Sequence, residues 1–165
     1  MSDANNPCVI DTNVTIVANG NSQHASIDCE LACIEFLENY QSLHIALDHG
    51  GLIMDEYSHH LSYAGQPNIG DAFFKYLHDN QYNPDGNIYL HRITANNNEN
   101  QGFDELPVDV NFDPSDRKFL AVAVVANADV INATDADWDE NSELLEQLNV
   151  DVVQLCPEHR SRGNA

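Results

Sequence analysis

The sequence predicts an α/β fold of three layers, in which a central and mainly parallel sheet carries helices on both of its faces. Short apolar segments typical of strands alternate with segments whose apolar residues recur at helical spacing. The chain has 165 residues, 42% of them hydrophobic, which suits one compact core. We therefore expect a single domain over residues 1–165. In sheets of this kind the functional crevice lies beyond the carboxyl ends of the strands.

The first half of the chain contains two predicted strands and three predicted helices. The first strand covers residues 7–11, and the helix that follows begins with Asp28 as its N-cap. The apolar segment GGLIMD, residues 50–55, predicts the second strand. Helices are predicted at EYSHHLSYA, residues 56–64, and at IGDAFFKYLHDN, residues 69–80.

An irregular insertion is predicted at about residues 81–112. It contains a turn at NPDG, a candidate strand at NIYLHRIT and a polar, Asn-rich loop at ANNNENQGFDELP. We expect the whole stretch from Gln81 to Phe112 to be mobile or ordered by a partner, because it is polar, Asn-rich and poor in apolar anchors.

The remaining elements begin with the best-defined helix of the chain, DPSDRKFLAVAVVAN at residues 113–127. Asp113 is a good N-cap, Pro114 suits the first helical position, and the apolar run indicates burial nearly all round. A strand at DVINAT, a short acidic helix near DENSELLEQL and a last strand at DVVQL complete the α/β pattern.

Charge limits the partners of this protein. Its 27 acidic and 6 basic residues leave a net charge of -21, which repels nucleic acid and provides no basic stripe. A nucleic-acid function must therefore work through bound cations or through a partner. A protein made for high salt would have the same composition.

The four cysteines and the absence of long apolar runs indicate a cytoplasmic protein. The spacing of Cys8, Cys29, Cys33 and Cys156 fits neither zinc-ligand pairs nor a secreted disulfide framework, so we expect buried thiols. No apolar run approaches the length of a membrane span, and the polar start MSDANNP lacks the pattern of a signal peptide.

Acidic side chains follow the predicted strands with unusual regularity. Taken singly, each has an ordinary explanation as a turn-former, a helix cap or a complement to a helix dipole. Taken together, they would bring like charges to one end of the sheet, which raises pKa values and costs stability unless a cation is bound. Hard oxygen ligands suit Mg²⁺ or Mn²⁺. The acids in question are Asp11, Asp55, Glu56, Asp116, Asp135 and Asp137.

The order and spacing of four segments resemble the PIN domain, the fold of VapC-type toxin nucleases and other metal-dependent ribonucleases. These segments are VIDTNV, IMDEYSHHL, DPSDRKFLAVAVVANADVINATDADW and NVDVVQLCP. Residues 81–112 lie outside any matching motif. The resemblance implies a PIN-like fold and, by position, assigns roles as follows: Asp11, Glu56, Asp116 and Asp135 as catalytic metal ligands, Asp137 as a further ligand, and Thr12 and Asn13 as supporting residues.

The chemistry that this resemblance implies is hydrolysis of phosphodiester bonds in single-stranded RNA with Mg²⁺ or Mn²⁺. It also implies an antitoxin-like or other basic protein partner and the homodimers common among PIN proteins. The family's basic substrate-binding surface is not evident here. Arg117 and Lys118 are the nearest cations to Asp116, and they have either a substrate-binding or an ordinary solvated role.

Two other functions are alternatives to a metal-dependent nuclease. One is a catalytically weak, PIN-like interaction module whose acidic surface binds a basic protein, which the net charge favours and the complete set of acids opposes. The other is a haloacid-dehalogenase-type phosphatase. That chemistry normally requires an aspartate two residues after its nucleophile, where this chain has Asn13.

Overall fold

The computed structural model describes residues 6–62 and 68–159 and contains a five-stranded, wholly parallel sheet. The order of the strands is β3-β2-β1-β4-β5, and in the centre Val9 lies beside Val130. The predicted three-layer α/β fold class is confirmed. The strands are β1 (Cys8–Ile10), β2 (Ile45–Asp48), β3 (Ile88–His91), β4 (Asp129–Asn132) and β5 (Val152–Gln154).

The helices connect these strands and bury their apolar faces in one core. α5 packs on all four strands from β1 to β4, while α1, α2 and α4 pack against one another. Two short 3-10 helices cover Pro114–Asp116 and Pro157–His159. The α-helices are α1 (Thr12–Ala18), α2 (Ile27–Leu37), α3 (Leu52–Ser58), α4 (Ile69–Asn80), α5 (Arg117–Ala126), α6 (Asp137–Glu140) and α7 (Ser142–Gln147).

The helices at residues 69–80 and 113–127 form as the sequence predicts. α4 has the predicted bounds. The Asp113 side chain accepts a hydrogen bond from the Ser115 backbone N–H, Pro114 occupies the first position, and α5 continues from this 3-10 turn. Asn127 ends α5 in a left-handed conformation, with φ of 52°.

The strand predicted at residues 50–55 and the N-cap predicted for α2 are wrong. The helix predicted at residues 56–64 is confirmed at residues 56–58, where α3 ends, but not at residues 59–62. Residues 50–55 do not form a strand, because the strand β2 ends at Asp48 and Gly51, with φ of +84°, turns the chain into α3. Asp48 accepts hydrogen bonds from the first N–H groups of α3. Residues 63 and 64 of the predicted helix lie outside the described residues. α2 is capped by Ser26 rather than by Asp28, since the Ser26 hydroxyl accepts from Cys29 N.

The predicted insertion contains β3 and then an irregular but well-anchored segment, residues 92–113. All of these residues are described, and their one strand-like feature is an isolated bridge between Ala95 and Phe103. The expectation of few apolar anchors is wrong, because four apolar side chains of the segment are buried. They are Phe103, Leu106, Val110 and Phe112.

Cysteine chemistry also differs from the prediction. Cys29 and Cys156 form a disulfide, whereas Cys8 and Cys33 are buried thiols, as predicted for all four. The pairing joins α2 to the chain after β5, which places together two sulfurs that lie 127 residues apart. Within the described ranges, no helix has both the length and the apolar character needed to cross a membrane.

Candidate metal centre

The candidate site lies where the direction of strand progression reverses. From β1 the chain builds the sheet outward through β2 and β3, then returns to place β4 and β5 on the other side of β1. The carboxyl ends of β1 and β4 therefore flank a topological switch point, which is the usual ligand crevice of an open parallel sheet. Asp11 follows β1 directly, and Asp135 follows β4 by three residues.

Three of the predicted ligands come together at this point. One carboxylate oxygen from each of Asp11, Asp116 and Asp135 can be chosen so that all three lie within 4.8 Å of one another. Asp11 and Asp116 are buried, and Asp135 is partly buried. The third member, Asp116, is delivered by the 3-10 turn in front of α5, the helix that packs under β1 and β4.

Asp11 is both a helix cap and a member of this cluster. One oxygen accepts a hydrogen bond from the Asn13 backbone N–H at 3.0 Å, which caps α1. The other accepts from the Trp138 indole N–H at 2.7 Å. Burial raises the pKa of Asp11 to about 7, with further contributions from the charges of Asp135 and Glu56, although its two hydrogen bonds act in the opposite direction.

Asp116 is the most strongly perturbed member. Burial, and then the neighbouring charges of Asp11 and Asp135, raise the pKa of Asp116 to about 9. A hydrogen bond with the Asp135 carboxyl group favours its protonated form in the same direction. Without a cation, the cluster therefore holds protons at neutral pH that ordinary aspartates have lost.

Glu56 lies beside the cluster rather than in it. It sits inside α3, not in front of a helix, and one of its oxygens accepts a hydrogen bond from the Thr12 hydroxyl. Its other oxygen forms an ion pair with Lys118 Nζ at 2.6 Å. Lys118 is also held by the Ser115 carbonyl, and its side chain is 15% exposed. The structure thus places Glu56 between a hydroxyl donor and an ammonium group.

The supporting residues differ in what they support. The Thr12 hydroxyl donates its hydrogen bond to Glu56 rather than to Asp11. The Asn13 side chain turns away from the carboxylates: its oxygen accepts from Ala133 N at 2.9 Å, and its nitrogen donates to Asn132. Asn13 therefore ties α1 to the loop after β4, and it reaches Asp11 only through its backbone N–H.

Asp137 is near the cluster but outside the group of three. Its backbone N–H donates to Asp135 at 2.9 Å, so it orients that carboxylate through the main chain. Burial, and then the charge of Asp135, raise the pKa of the Asp137 carboxyl group.

Three further residues shape the site, and only Lys118 was considered from the sequence. Asn132, buried at the end of β4, accepts from Asn13 and donates to the Asp135 carbonyl and to Gln154. Trp138 packs edge-on against Phe112 and holds Asp11. A polar Asn ending an apolar strand, and the tryptophan of the TDADW segment, are the signals that point to these residues.

Arg117 does not belong to the site. Its guanidinium group donates to the carbonyls of Phe112, Glu99 and Val110, all in the irregular segment before α5. This buried arginine anchors that segment, whereas Lys118 pairs with Glu56 beside the cluster.

The donor set fits a hard divalent cation. Three carboxylates, with waters completing the coordination, are the kind of site that Mg²⁺ and Mn²⁺ occupy, and a bound cation would remove the repulsion that raises the pKa values. Comparison of the chain with protein-family models, with curated proteins and with solved structures found no match. The resemblance to PIN domains therefore stays a prediction from the sequence.

Proposed function

We propose that this protein is a Mg²⁺- or Mn²⁺-dependent nuclease that hydrolyses phosphodiester bonds in single-stranded RNA. The observation that carries the proposal is the convergence of Asp11, Asp116 and Asp135 at the switch point of a parallel sheet. The choice of RNA as substrate comes from the sequence resemblance to PIN-domain ribonucleases.

The chain's own residues would hold the cation and keep its ligands in place. Asp11, Asp116 and Asp135 would bind it as carboxylates, and Asp11 and Asp116 would lose the protons that their raised pKa values retain without it. When bound, the cation would activate water for attack at phosphorus and neutralise charge on the phosphoryl oxygens. Trp138 fixes the orientation of Asp11, and the Asp137 N–H fixes that of Asp135.

Lys118 supplies positive charge in a strongly acidic protein. Its ammonium group is partly exposed and is positioned by Glu56 and the Ser115 carbonyl. We infer that it contacts the substrate phosphate, and that Glu56 serves as its anchor. This arrangement partly answers the objection raised by the net charge of -21.

A second candidate function is a binding module for a basic, antitoxin-like protein. The net charge favours it, and so does the burial of Arg117, which removes one of only six basic residues from the surface. A basic segment bound at the carboxylates would relieve the same repulsion as a metal ion. Homodimer formation is compatible with either function.

Cleavage of labelled single-stranded RNA tests the proposal. The protein is incubated with RNA in Mg²⁺, in Mn²⁺ or in EDTA, with single-stranded DNA and duplex RNA as further substrates. Asp116→Asn should lower the rate by at least about 100-fold, since even residues that only orient metal ligands contribute 10- to 100-fold.

Asp113→Asn is the matched control, because it removes the same charge one turn away and retains the capping oxygen. It should keep most of the activity. Equal cleavage by wild type and Asp116→Asn would assign the activity to a contaminant. Cleavage by none of the three proteins, with a basic peptide bound by wild type, would favour the binding module.

A further inference from the structure

A cluster of three sulfur atoms lies in the core, separate from the carboxylate site. Cys29 and Cys33 are one helical turn apart on α2 and face the same side, and Cys156 follows β5. Cys29 and Cys156 form the disulfide, while the Cys33 sulfur lies 4.0 Å from the Cys156 sulfur. All three side chains are buried.

We propose that Cys156 has two alternative disulfide partners, Cys29 and Cys33, and that Cys33 is the internal thiol that exchanges one pairing for the other. In this step the Cys33 thiolate attacks the Cys156 sulfur, and the Cys33–Cys156 bond forms as the Cys29–Cys156 bond breaks. Cys29 leaves as a thiolate and takes up the proton that Cys33 lost. The number of disulfides is unchanged, so the exchange needs no external oxidant or reductant.

The two pairings are close to equivalent for the unfolded chain. They close loops with sequence separations of 127 and 123 residues, and closure entropy depends only on the logarithm of loop length. The choice between them is therefore made by local geometry in the folded protein. The two sulfurs of Cys33 and Cys156 are 4.0 Å apart. A rotation of the Cys33 side chain, with a small shift of the segment at Cys156, would bring them to bonding distance.

Burial makes the exchange slow in the intact fold. It raises the pKa of the Cys33 thiol to about 12, with a smaller contribution from the Glu158 carboxylate, and the thiolate is the attacking species. The pairing with Cys29 therefore persists until local opening exposes the cluster. Exchange would move the link one turn along α2, the helix that packs on α1, whose N-cap is Asp11.

Disulfide mapping of the Cys29→Ser variant tests the proposal. The variant is refolded in a mixture of reduced and oxidised glutathione, quenched with acid, alkylated and digested for mass spectrometry. A Cys33–Cys156 linked peptide should be the main disulfide product. Cys33→Ser is the matched control and should give only Cys29–Cys156, with Cys8 alkylated in both proteins because it lies in β1, apart from the cluster.

The wild type provides a second measurement if Cys29→Ser does not fold. After long incubation in the same glutathione mixture, a minor fraction of wild-type molecules should carry Cys33–Cys156. The proposal is overturned if Cys33 of refolded Cys29→Ser is recovered as a free thiol on alkylation in denaturant, or if wild type never yields the second pairing.

Discussion

Two buried aspartates lie at the carboxyl ends of neighbouring strands of the sheet, and both cap a helix, but their other surroundings differ. Asp48 ends β2 with 2% of its surface exposed, and its two oxygens accept from the Leu52 and Ile53 N–H groups at 2.7 and 2.8 Å. Asp11 follows β1 and faces other carboxylates, Asp116 and Asp135.

The difference shows that burial of a strand-end aspartate does not by itself indicate a site. Asp48 is satisfied by the start of α3, where N–H groups and the helix dipole stabilise a negative charge. The cluster around Asp116 is stabilised only by protons, by hydrogen bonds to single members, or by a cation. The partners of a buried aspartate, rather than its position at the end of a strand, therefore distinguish a structural acid from a candidate metal ligand.

The largest stability effect should come from the structural acid. Asp48→Ala leaves two N–H groups at the start of α3 without an acceptor, so we expect a loss of about 2 kcal/mol in the free energy of unfolding. Urea unfolding in EDTA measures it. Glu35→Ala, an exposed change on α2, should stay within about 0.5 kcal/mol. A loss that small for Asp48→Ala would show that the cap contributes little.

The second-largest effect should be the stabilisation by Mn²⁺, which we expect to depend on the carboxylate cluster and not on Asp48. At Mn²⁺ concentrations tenfold above its dissociation constant, wild type should gain about 1.4 kcal/mol, because a ligand stabilises the folded state that binds it. Asp48→Asn should keep this gain, whereas Asp116→Asn should lose most of it. Thermal melts with EDTA and with Mn²⁺ provide the comparison. An equal gain in both variants would mean that Mn²⁺ binds the acidic surface in general.

Much of the fold could be predicted because its signals are local. The caps and apolar periodicity of α4 and α5 lie within the elements themselves. The short run at residues 50–55 has no such signal, since apolar stretches of this length fit a strand or a helix equally well. α1 was missed for a similar reason: its β-branched residues have low helix propensity, and the Asp11 cap and burial determine its structure.

The residues of the candidate site could be predicted only where their position along the chain is enough to place them at the carboxyl end of the sheet. Asp11, Asp116 and Asp135 follow strands or open the buried helix, so their convergence follows from parallel topology. The partners of Glu56 depend on how α3 meets α5, and the Trp138 contact depends on the path of the chain after β4. The disulfide likewise requires knowing that Cys156 returns to α2, which spacing along the chain does not contain.

The pH dependence of stability should be smaller but specific to the cluster. In metal-free protein the folded state binds more protons than the unfolded state between the ordinary aspartate pKa of 3.8 and the raised values of about 7 and about 9. Raised pKa values thus make stability fall as pH rises through this window. Stability should fall less steeply with pH in Asp116→Asn, so that from pH 5 to pH 8 the free energy of unfolding of the variant rises relative to wild type by at least about 1 kcal/mol, the equivalent of one pKa unit.

Urea unfolding of both proteins at several pH values, in EDTA, tests this difference. General repulsion among surface acids affects both proteins almost equally, so it cancels when the free energy of unfolding of wild type is subtracted from that of the variant at each pH. A constant difference across the range would show that Asp116 titrates as an ordinary aspartate.

The smallest effect is expected at Asp11, where two contributions oppose each other. Asp11→Asn removes a negative charge from the cluster, and its amide oxygen can still accept from Asn13 N. The amide nitrogen cannot accept from the buried Trp138 N–H, and an unsatisfied donor of this kind costs about 1–3 kcal/mol. In EDTA at pH 8 we therefore expect a change within about 0.5 kcal/mol, whereas Asp116→Asn should gain about 1 kcal/mol, as is usual when a strained functional site is relieved. Thermal melts of the two variants beside wild type make the comparison. A gain at Asp11 equal to that at Asp116 would show that the Trp138 hydrogen bond contributes nothing, and that Asp11 differs from Asp48 in charge environment alone.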